Sequence, residues 1–197
     1  MADNYILTPE GKQQLEEELH YLETEKRAEV GAVSYTHLDV YKRQAYVNAV
    51  DISELAVAQA RKNAQLNGLD ERMGFTATNV FDLLPALEAA HDRTYDFIVL
   101  DPPAFTKSRK TIQSASRGYK EINYRAMKLL PRGGYLATCS CSHFMDTERF
   151  KHVVASAAHD AGVQLRQIEE RQQAPDHPIV WGVPETDYLK FFIFQVV

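Results

Sequence analysis

Two periods of apolar and polar positions alternate along most of this chain. Short apolar runs at 46–50, 73–78, 95–100, 135–141, 163–168 and 188–197 predict strands. Helical spacing lies between several of them. Ser53 is placed to cap a helix that ends at Gly68, with Leu55, Ala58 and Leu66 as its expected buried face. A second helix is predicted at 119–130, stopped by Pro131 and Gly133-Gly134, and a third at 146–161. Strand and helix in alternation predict an α/β fold, most of a doubly wound and largely parallel sheet. Ligands of such sheets lie beyond the carboxyl ends of the strands. Ahead of this, residues 8–27 predict an N-terminal helix, with Thr8 as cap and Pro9 in its first turn. Leu15, Leu19 and Leu22 make a single stripe there, a coiled-coil seam that needs a partner helix.

Composition adds exclusions. The 197 residues are 45% hydrophobic and 25% charged, ordinary for a soluble chain. No apolar run approaches the roughly 20 residues that span a bilayer, and no signal peptide opens the chain, so no membrane and a cytoplasmic location are expected. The only cysteines, Cys139 and Cys141, stand two apart. They cannot staple a fold, and without further ligands they imply no metal. The net charge of −5 is uneven, with acids dominating residues 1–30. Lys107, Arg109, Lys110, Arg117, Lys120, Arg125, Lys128 and Arg132 follow closely, with Glu121 the one acid among them. Such a stretch suits a phosphate backbone; charge alone fits a solvated helix face equally well.

Polar residues close three of the strands. Asp51 follows the first, where a carboxylate can accept from both hydroxyls of a ribose, or can simply form a turn. Asn79 follows the second, placed for an adenine edge or for a turn. After the third comes Asp101-Pro102-Pro103-Ala104-Phe105. Its prolines remove backbone donors and fix the loop, leaving the Asp101 carboxylate to face a ligand. Seen alone this is an Asp-Pro turn; after a buried strand and before an aromatic it is far more specific.

The wording across residues 45–197 resembles the class I S-adenosylmethionine-dependent methyltransferases, in particular the 23S ribosomal RNA cytosine-carbon-5 family. The matching segments are Val-Asp-Ile-Ser at 50–53, Leu-Asn-Gly-Leu at 66–69, Asn-Val-Phe-Asp at 79–82 and Asp-Pro-Pro-Ala-Phe at 101–105. Arg-Gly-Tyr-Lys-Glu-Ile-Asn at 117–123, Thr-Cys-Ser-Cys-Ser at 138–142 and Tyr-Leu-Lys at 188–190 continue it. The resemblance implies a Rossmann-like sheet, S-adenosylmethionine as cofactor and ribosomal RNA as partner. It implies that Asp51 with Ile52 binds the cofactor ribose, Asn79 and Val80 the adenine, and Asp101, Pro102 and Pro103 the methyl-transfer site. The family position at Asn79 is commonly Asp. Carbon 5 of cytosine becomes nucleophilic only after a thiolate adds to carbon 6, and Cys141 matches the family at that place; a small cysteine ending a strand is the plainer reading. Asp101 would hydrogen-bond or help protonate the flipped base, and Phe105 would stack on it. Lys107, Arg109, Lys110, Arg117 and Lys120 would contact the RNA. His177 is expected to be a structural loop residue, with no acid or nucleophile partner near it. A methyltransferase acting on an exocyclic amine would also suit the Asp-Pro-Pro-aromatic loop.

Two features set residues 1–44 apart. About residues 3–30, through the wording at 5–22, resemble the start of Gre-type transcript-cleavage factors, whose coiled coil reaches into RNA polymerase with an acidic tip. The likeness stops near residue 30, before any tip, so a polymerase contact is expected only if this fragment functions by itself. Residues 32–44 resemble a translated sequencing adapter: an ordinary codon choice for them reads as a palindrome of two transposon ends joined head to head. The alternative is a β-prone segment, with Val33, Tyr35, Thr36, Val40 and Tyr41 suited to a strand that fills the central sheet position of the first strand, which a domain starting at residue 45 lacks. The expected organisation is therefore a Gre-like helix at 1–30, a junction at 31–44 and an incomplete methyltransferase domain at 45–197. The glycine-rich loop of such domains has no counterpart ahead of Asp51, because Gly31 is the only glycine between Gly11 and Gly68. Very weak cofactor binding and no measurable methyl transfer are expected.

Overall fold

The computed structural model of the chain describes residues 46–91, 94–106 and 108–197, apart from the side chain of Arg109. The expectations for the helix at 8–27, for the junction at 31–44 and for a strand at Val33 to Tyr41 lie outside these residues, as does Lys107. The chain divides into two compact units, Met1–Thr76 and Ala77–Val197.

In the first unit, β1 (Val47–Asp51) leads to α1 (Glu54–Leu66), and a 3-10 turn at Asp70–Arg72 leads into β2 (Met73–Ala77). β1 and β2 are neighbours in a two-stranded sheet. Ser53 caps α1 as expected, its side chain accepting from the Ala56 amide at 3.2 Å. The buried face differs from expectation. Leu55 and Leu66 are each 84% exposed and Ala58 is exposed, whereas Ala64 is buried and Val57 and Ala60 are half-buried. Those three inward residues repeat at spacings of three and four, and at 100° per residue Leu55 and Leu66 fall about half a turn away.

The second unit holds α2 (Val80–Ala89), β3 (Phe97–Leu100), α3 (Ile112–Leu129), β4 (Tyr135–Ser140), α4 (Thr147–Ala161), β5 (Leu165–Arg171) and β6 (Lys190–Val196). Its four strands lie in the order β3-β4-β6-β5. β3 and β4 are parallel, and β6 runs antiparallel to both β4 and β5. The sheet is thus mixed rather than largely parallel, because a loop short of a crossover helix joins β5 to β6 and reverses the chain. α3 packs between α2 and α4. Its buried stripe Ala115, Tyr119, Ile122, Ala126 and Leu129 alternates spacings of four and three. Against it lie Phe150, Val154 and Ala157 of α4, with Leu136 and Phe192 of the sheet in the same core. Each large side chain buried there contributes about 1.5–3 kcal/mol.

Two helices depart from the sequence reading. α3 begins seven residues before the predicted 119, and Gly118 sits inside it. A Cβ there would lie 3.2 Å from the Phe105 ring, so the glycine admits that ring at the cost of helix propensity. The helix α2 was not predicted at all; Pro85 within it obscures the pattern. α4 ends as read, on Gly162 in the left-handed region at φ 70°.

Candidate active site

Asp51 and Ile52 belong to the first unit, where both are exposed at the end of β1. Asp51 Oδ1 accepts from the Ser53 amide at 2.7 Å, so one carboxylate oxygen forms the turn that starts α1. The remaining predicted residues lie in the second unit. Asn79 caps α2, its Oδ1 accepting from the Phe81 amide at 3.0 Å, and Val80 opens the helix half-buried.

The parallel pairing of β3 with β4 decides what meets Asp101. Leu100 is in register with Thr138, which brings the next residue of each strand, Asp101 and Cys139, to one edge. The Cys139 thiol donates to Asp101 Oδ1 at 3.0 Å and contacts the Leu100 carbonyl at 3.5 Å. Cys139 is only 5% exposed. Burial pushes its thiol well above the ordinary range, and its hydrogen bond to the Asp101 carboxylate adds to this, so it stays protonated. Cys141 stands two residues on, past the end of β4 and only partly buried. The two cysteines therefore differ as a donor and a more accessible thiol.

Hydrogen bonds tie the loop after Asp101 to the loop after β4. Ser142 Oγ donates to the Thr106 carbonyl at 2.8 Å, and Thr106 Oγ1 lies 2.7 Å from Thr111 Oγ1. On the other side of Cys141, Ser140 Oγ donates to the Tyr119 hydroxyl at 2.9 Å. Tyr119 is fully buried, and burial raises its pKa. Its ring centre is 4.6 Å from that of Phe105, which also faces Phe81 at 5.8 Å. Phe105 is thus half-buried in an aromatic run, with part of its surface left open. Lys190 Nζ donates to the Ser142 carbonyl at 2.6 Å.

Asp101, Pro102, Pro103, Phe105 and Cys141 therefore come from two neighbouring strand ends that hydrogen bonds hold in place. The expected basic footprint is smaller than its residue count. Lys110 and Arg117 are exposed, but Lys120 pairs with Asp160 of α4 at 2.7 Å. Arg125 bridges Glu88 of α2 and Glu121, reinforcing helix packing. His177 has an acid partner after all: its Nδ1 lies 3.2 Å from Asp176, on exposed loop. Among the described residues no cluster of three or more His, Cys, Asp or Glu could hold a metal, and no helix is long and apolar enough to cross a membrane. Tyr119, Cys139, Ser142 and Lys190 stand within the segments that carry the family resemblance, and the structure adds their contacts. Their work depends on strand register and cross-loop bonds, which a linear pattern does not carry.

Residues 31–180 match the family model described as a methyltransferase domain, a span that begins ahead of residue 45. The Ribosomal RNA large subunit methyltransferase I of Klebsiella pneumoniae (strain 342) is 43% identical over 152 residues, covering 77% of this chain and 38% of that protein. The protein of the same name from Shewanella amazonensis is 44% identical over 153 residues, with the same two shares. The chain thus spans about 38% of the length of these relatives. Among solved structures, SMU.776, described as a methyltransferase and complexed with SAH, superposes with a TM-score of 0.66 at 22% identity. That match covers 77% of this chain and 39% of SMU.776. The methyltransferase homologue of Pyrococcus horikoshii gives 0.55 at 17% identity, over 77% and 52% of the two chains. These two show the likeness of fold.

Proposed function

The chain belongs to the methyltransferase-domain family, and from that premise we propose that residues 45–197 carry the chemistry of methyl transfer from S-adenosylmethionine to carbon 5 of a cytosine in large-subunit ribosomal RNA. The observation that supports this most is the division of labour between the two cysteines. Cys139 is a protonated donor to Asp101, while Cys141 lies partly open at the same sheet edge. An amine methyltransferase has use for Asp101 but none for a nucleophilic thiol there.

In this reading the Cys141 sulfur bonds to carbon 6 of the cytosine, and the electron pair of the 5,6 double bond moves to carbon 5. S-adenosylmethionine, when bound, would supply the electrophilic methyl group to carbon 5 and depart as S-adenosylhomocysteine. The proton on carbon 5 then passes to solvent, its electron pair re-forms the 5,6 double bond, and the carbon–sulfur bond breaks to return the thiolate. Asp101, held by the Cys139 thiol, hydrogen-bonds the base, and Phe105 stacks on it. Asp51 with Ile52 is assigned to the cofactor ribose, Asn79 and Val80 to the adenine, and Pro102 and Pro103 to the rigid floor of the transfer site. Asp51, which uses only one oxygen in its turn, supports its assignment; the Asn79 oxygen is already used as a cap and lends its assignment no support. Lys110 and Arg117 are the exposed cations for RNA, with Lys107 and Arg109 assigned beside them; Lys120 would have to leave Asp160 to take part.

The same reading divides the chain into a Gre-like leading piece, a junction at 31–44 and this domain. The test replaces the matching segment of a full-length relative with residues 45–197 and measures methylation of ribosomal RNA. Transfer to carbon 5 that is abolished by Cys141→Ala is the expected result. Transfer to an exocyclic amine, unaffected by that substitution, would overturn the reading.

A further inference from the structure

Lys190 opens β6 directly opposite Ser140 in the antiparallel register and is 6% exposed. Its ammonium donates to two carbonyls, Ser142 at 2.6 Å and Tyr188 at 2.7 Å. Among the described residues no carboxylate comes within ion-pair distance of it. Burying an ammonium without a paired charge is unfavourable, so a fold that keeps one needs either a compensating gain or an anion to meet it. Two of its three hydrogens are taken by carbonyls, and carbonyls alone do not require a full positive charge.

We propose that Lys190 is a positioning residue for Cys141: it pins the Ser142–His143 peptide, one residue past Cys141, through the Ser142 carbonyl, and presents a fixed positive charge at the strand end that carries the nucleophilic sulfur. The proposal deepens the assignment of Cys141 as nucleophile and rests on it. The clamp has two jaws. Ser142 is held from one side by Lys190 and from the other by its own hydroxyl bond to the Thr106 carbonyl, so the Cys141 loop is fixed against the loop of Asp101. The charges that act on Lys190 agree with the placement. Burial lowers its pKa most, while Asp187, Cys141, Asp146 and Cys139, in that order, raise it again. Asp187 and Asp146 lie beyond ion-pair distance and Cys139 stays protonated, which leaves Cys141 as the thiol at this strand end able to carry a countercharge.

A role in charge is separable from a role in shape by alkylation. The full chain carrying Cys139→Ser has Cys141 as its one thiol. Its reaction rates with anionic iodoacetate and neutral iodoacetamide are compared, with circular dichroism confirming the fold. Lys190→Gln keeps hydrogen-bond donors without the charge, and Lys190→Arg keeps the charge. The iodoacetate-to-iodoacetamide ratio should fall about threefold or more in the Gln variant and be retained in the Arg variant. An unchanged ratio in a folded Gln variant would overturn the proposal, since a merely structural lysine would slow or speed both reagents together. Should the Gln variant not fold, the Lys190 chain itself decides. Its ratio should drop from low to high ionic strength more steeply than that of a neutral cysteine peptide, and an equal slope would overturn the proposal. Neither reading measures methyl transfer, so a failure of the catalytic assignment leaves this result interpretable.

Discussion

The Cys139 thiol donates its hydrogen to Asp101 across 3.0 Å, and the pair lies at the junction of two parallel strands. A buried thiol bonded to a carboxylate favours its protonated form in the native state. The stabilisation is present in full below the ordinary thiol range near pH 8.5 and is lost as pH rises toward the raised native value. The free energy of unfolding should therefore decline above about pH 8.5, by up to about 1.4 kcal/mol per pH unit from this group. Tyr119, also raised by burial, adds a decline of the same sign above about pH 10, whereas Lys190, lowered by burial, acts in the opposite sense. Urea denaturation of Cys139→Ser against the parent isolates the cysteine, and its alkaline limb should be shallower. Parallel limbs for the two proteins would contradict the arrangement.

Gly118 faces the Phe105 ring from inside α3. Alanine there gains about 0.8–1 kcal/mol of helix propensity. Its methyl carbon would meet the ring at 3.2 Å, and the half-buried ring can yield by a few tenths of an ångström. The melting temperature of Gly118→Ala should stay within a few degrees of the parent. Gly118→Leu overfills the contact and should lose about 1–3 kcal/mol. A leucine variant that melts with the parent would show that Phe105 does not pack on this helix.

Arg125 joins α3 to α2 through Glu88 and pairs with Glu121 on its own helix. Its Nε donates to Glu121 at 2.8 Å while Nη1 bonds Glu88 of α2. The Arg125 and Glu88 side chains are 30% and 24% exposed, so solvent screens part of the interaction. Arg125→Met should lower stability by about 1 kcal/mol in urea denaturation, mostly from leaving Glu88 unpaired. Arg125→Lys should recover less than half, because an ammonium does not reproduce the fork that spans both carboxylates. A lysine variant equal to the parent would reduce the contact to charge alone.

Cofactor affinity is the measurement most sensitive to residues ahead of Asp51. With Gly31 the only glycine between Gly11 and Gly68, no Gly-x-Gly turn is available to approach the methionine and ribose closely. Titration calorimetry of the 197-residue chain with S-adenosylmethionine should show binding weaker than micromolar. A micromolar dissociation constant would mean that some other segment forms that floor.

Strand positions were the most legible part of the fold. Apolar runs at 46–50, 95–100 and 135–141 became β1, β3 and β4 with ends shifted by a residue or two. Their terminal polar residues were therefore placed correctly at the carboxyl edge. The second strand pair was harder, since β6 reverses the sheet direction and nothing in a run of Phe191 to Phe194 encodes orientation. Leu55 and Leu66 lie about half a turn from the stripe that turns inward, which is made of Val57, Ala60 and Ala64 and carries little hydrophobic signal of its own. At the site, the roles of Asp51 and Asn79 as turn and cap residues were visible alternatives, and both occur. Cys139 as the partner of Asp101 was not visible, because it follows from register between strands 38 residues apart.

β6 follows β5 in the sequence yet lies between β5 and β4 in the sheet. During synthesis β5 leaves the ribosome first and has no neighbour to receive it until β6 has been made. The strand that starts with Lys190 is then both the bridge that docks β5 and the piece that closes the clamp on Ser142. A nascent chain holding Asp101, Cys139 and Cys141 but not yet β6 therefore lacks both the partner strand of β5 and the ammonium that holds Ser142.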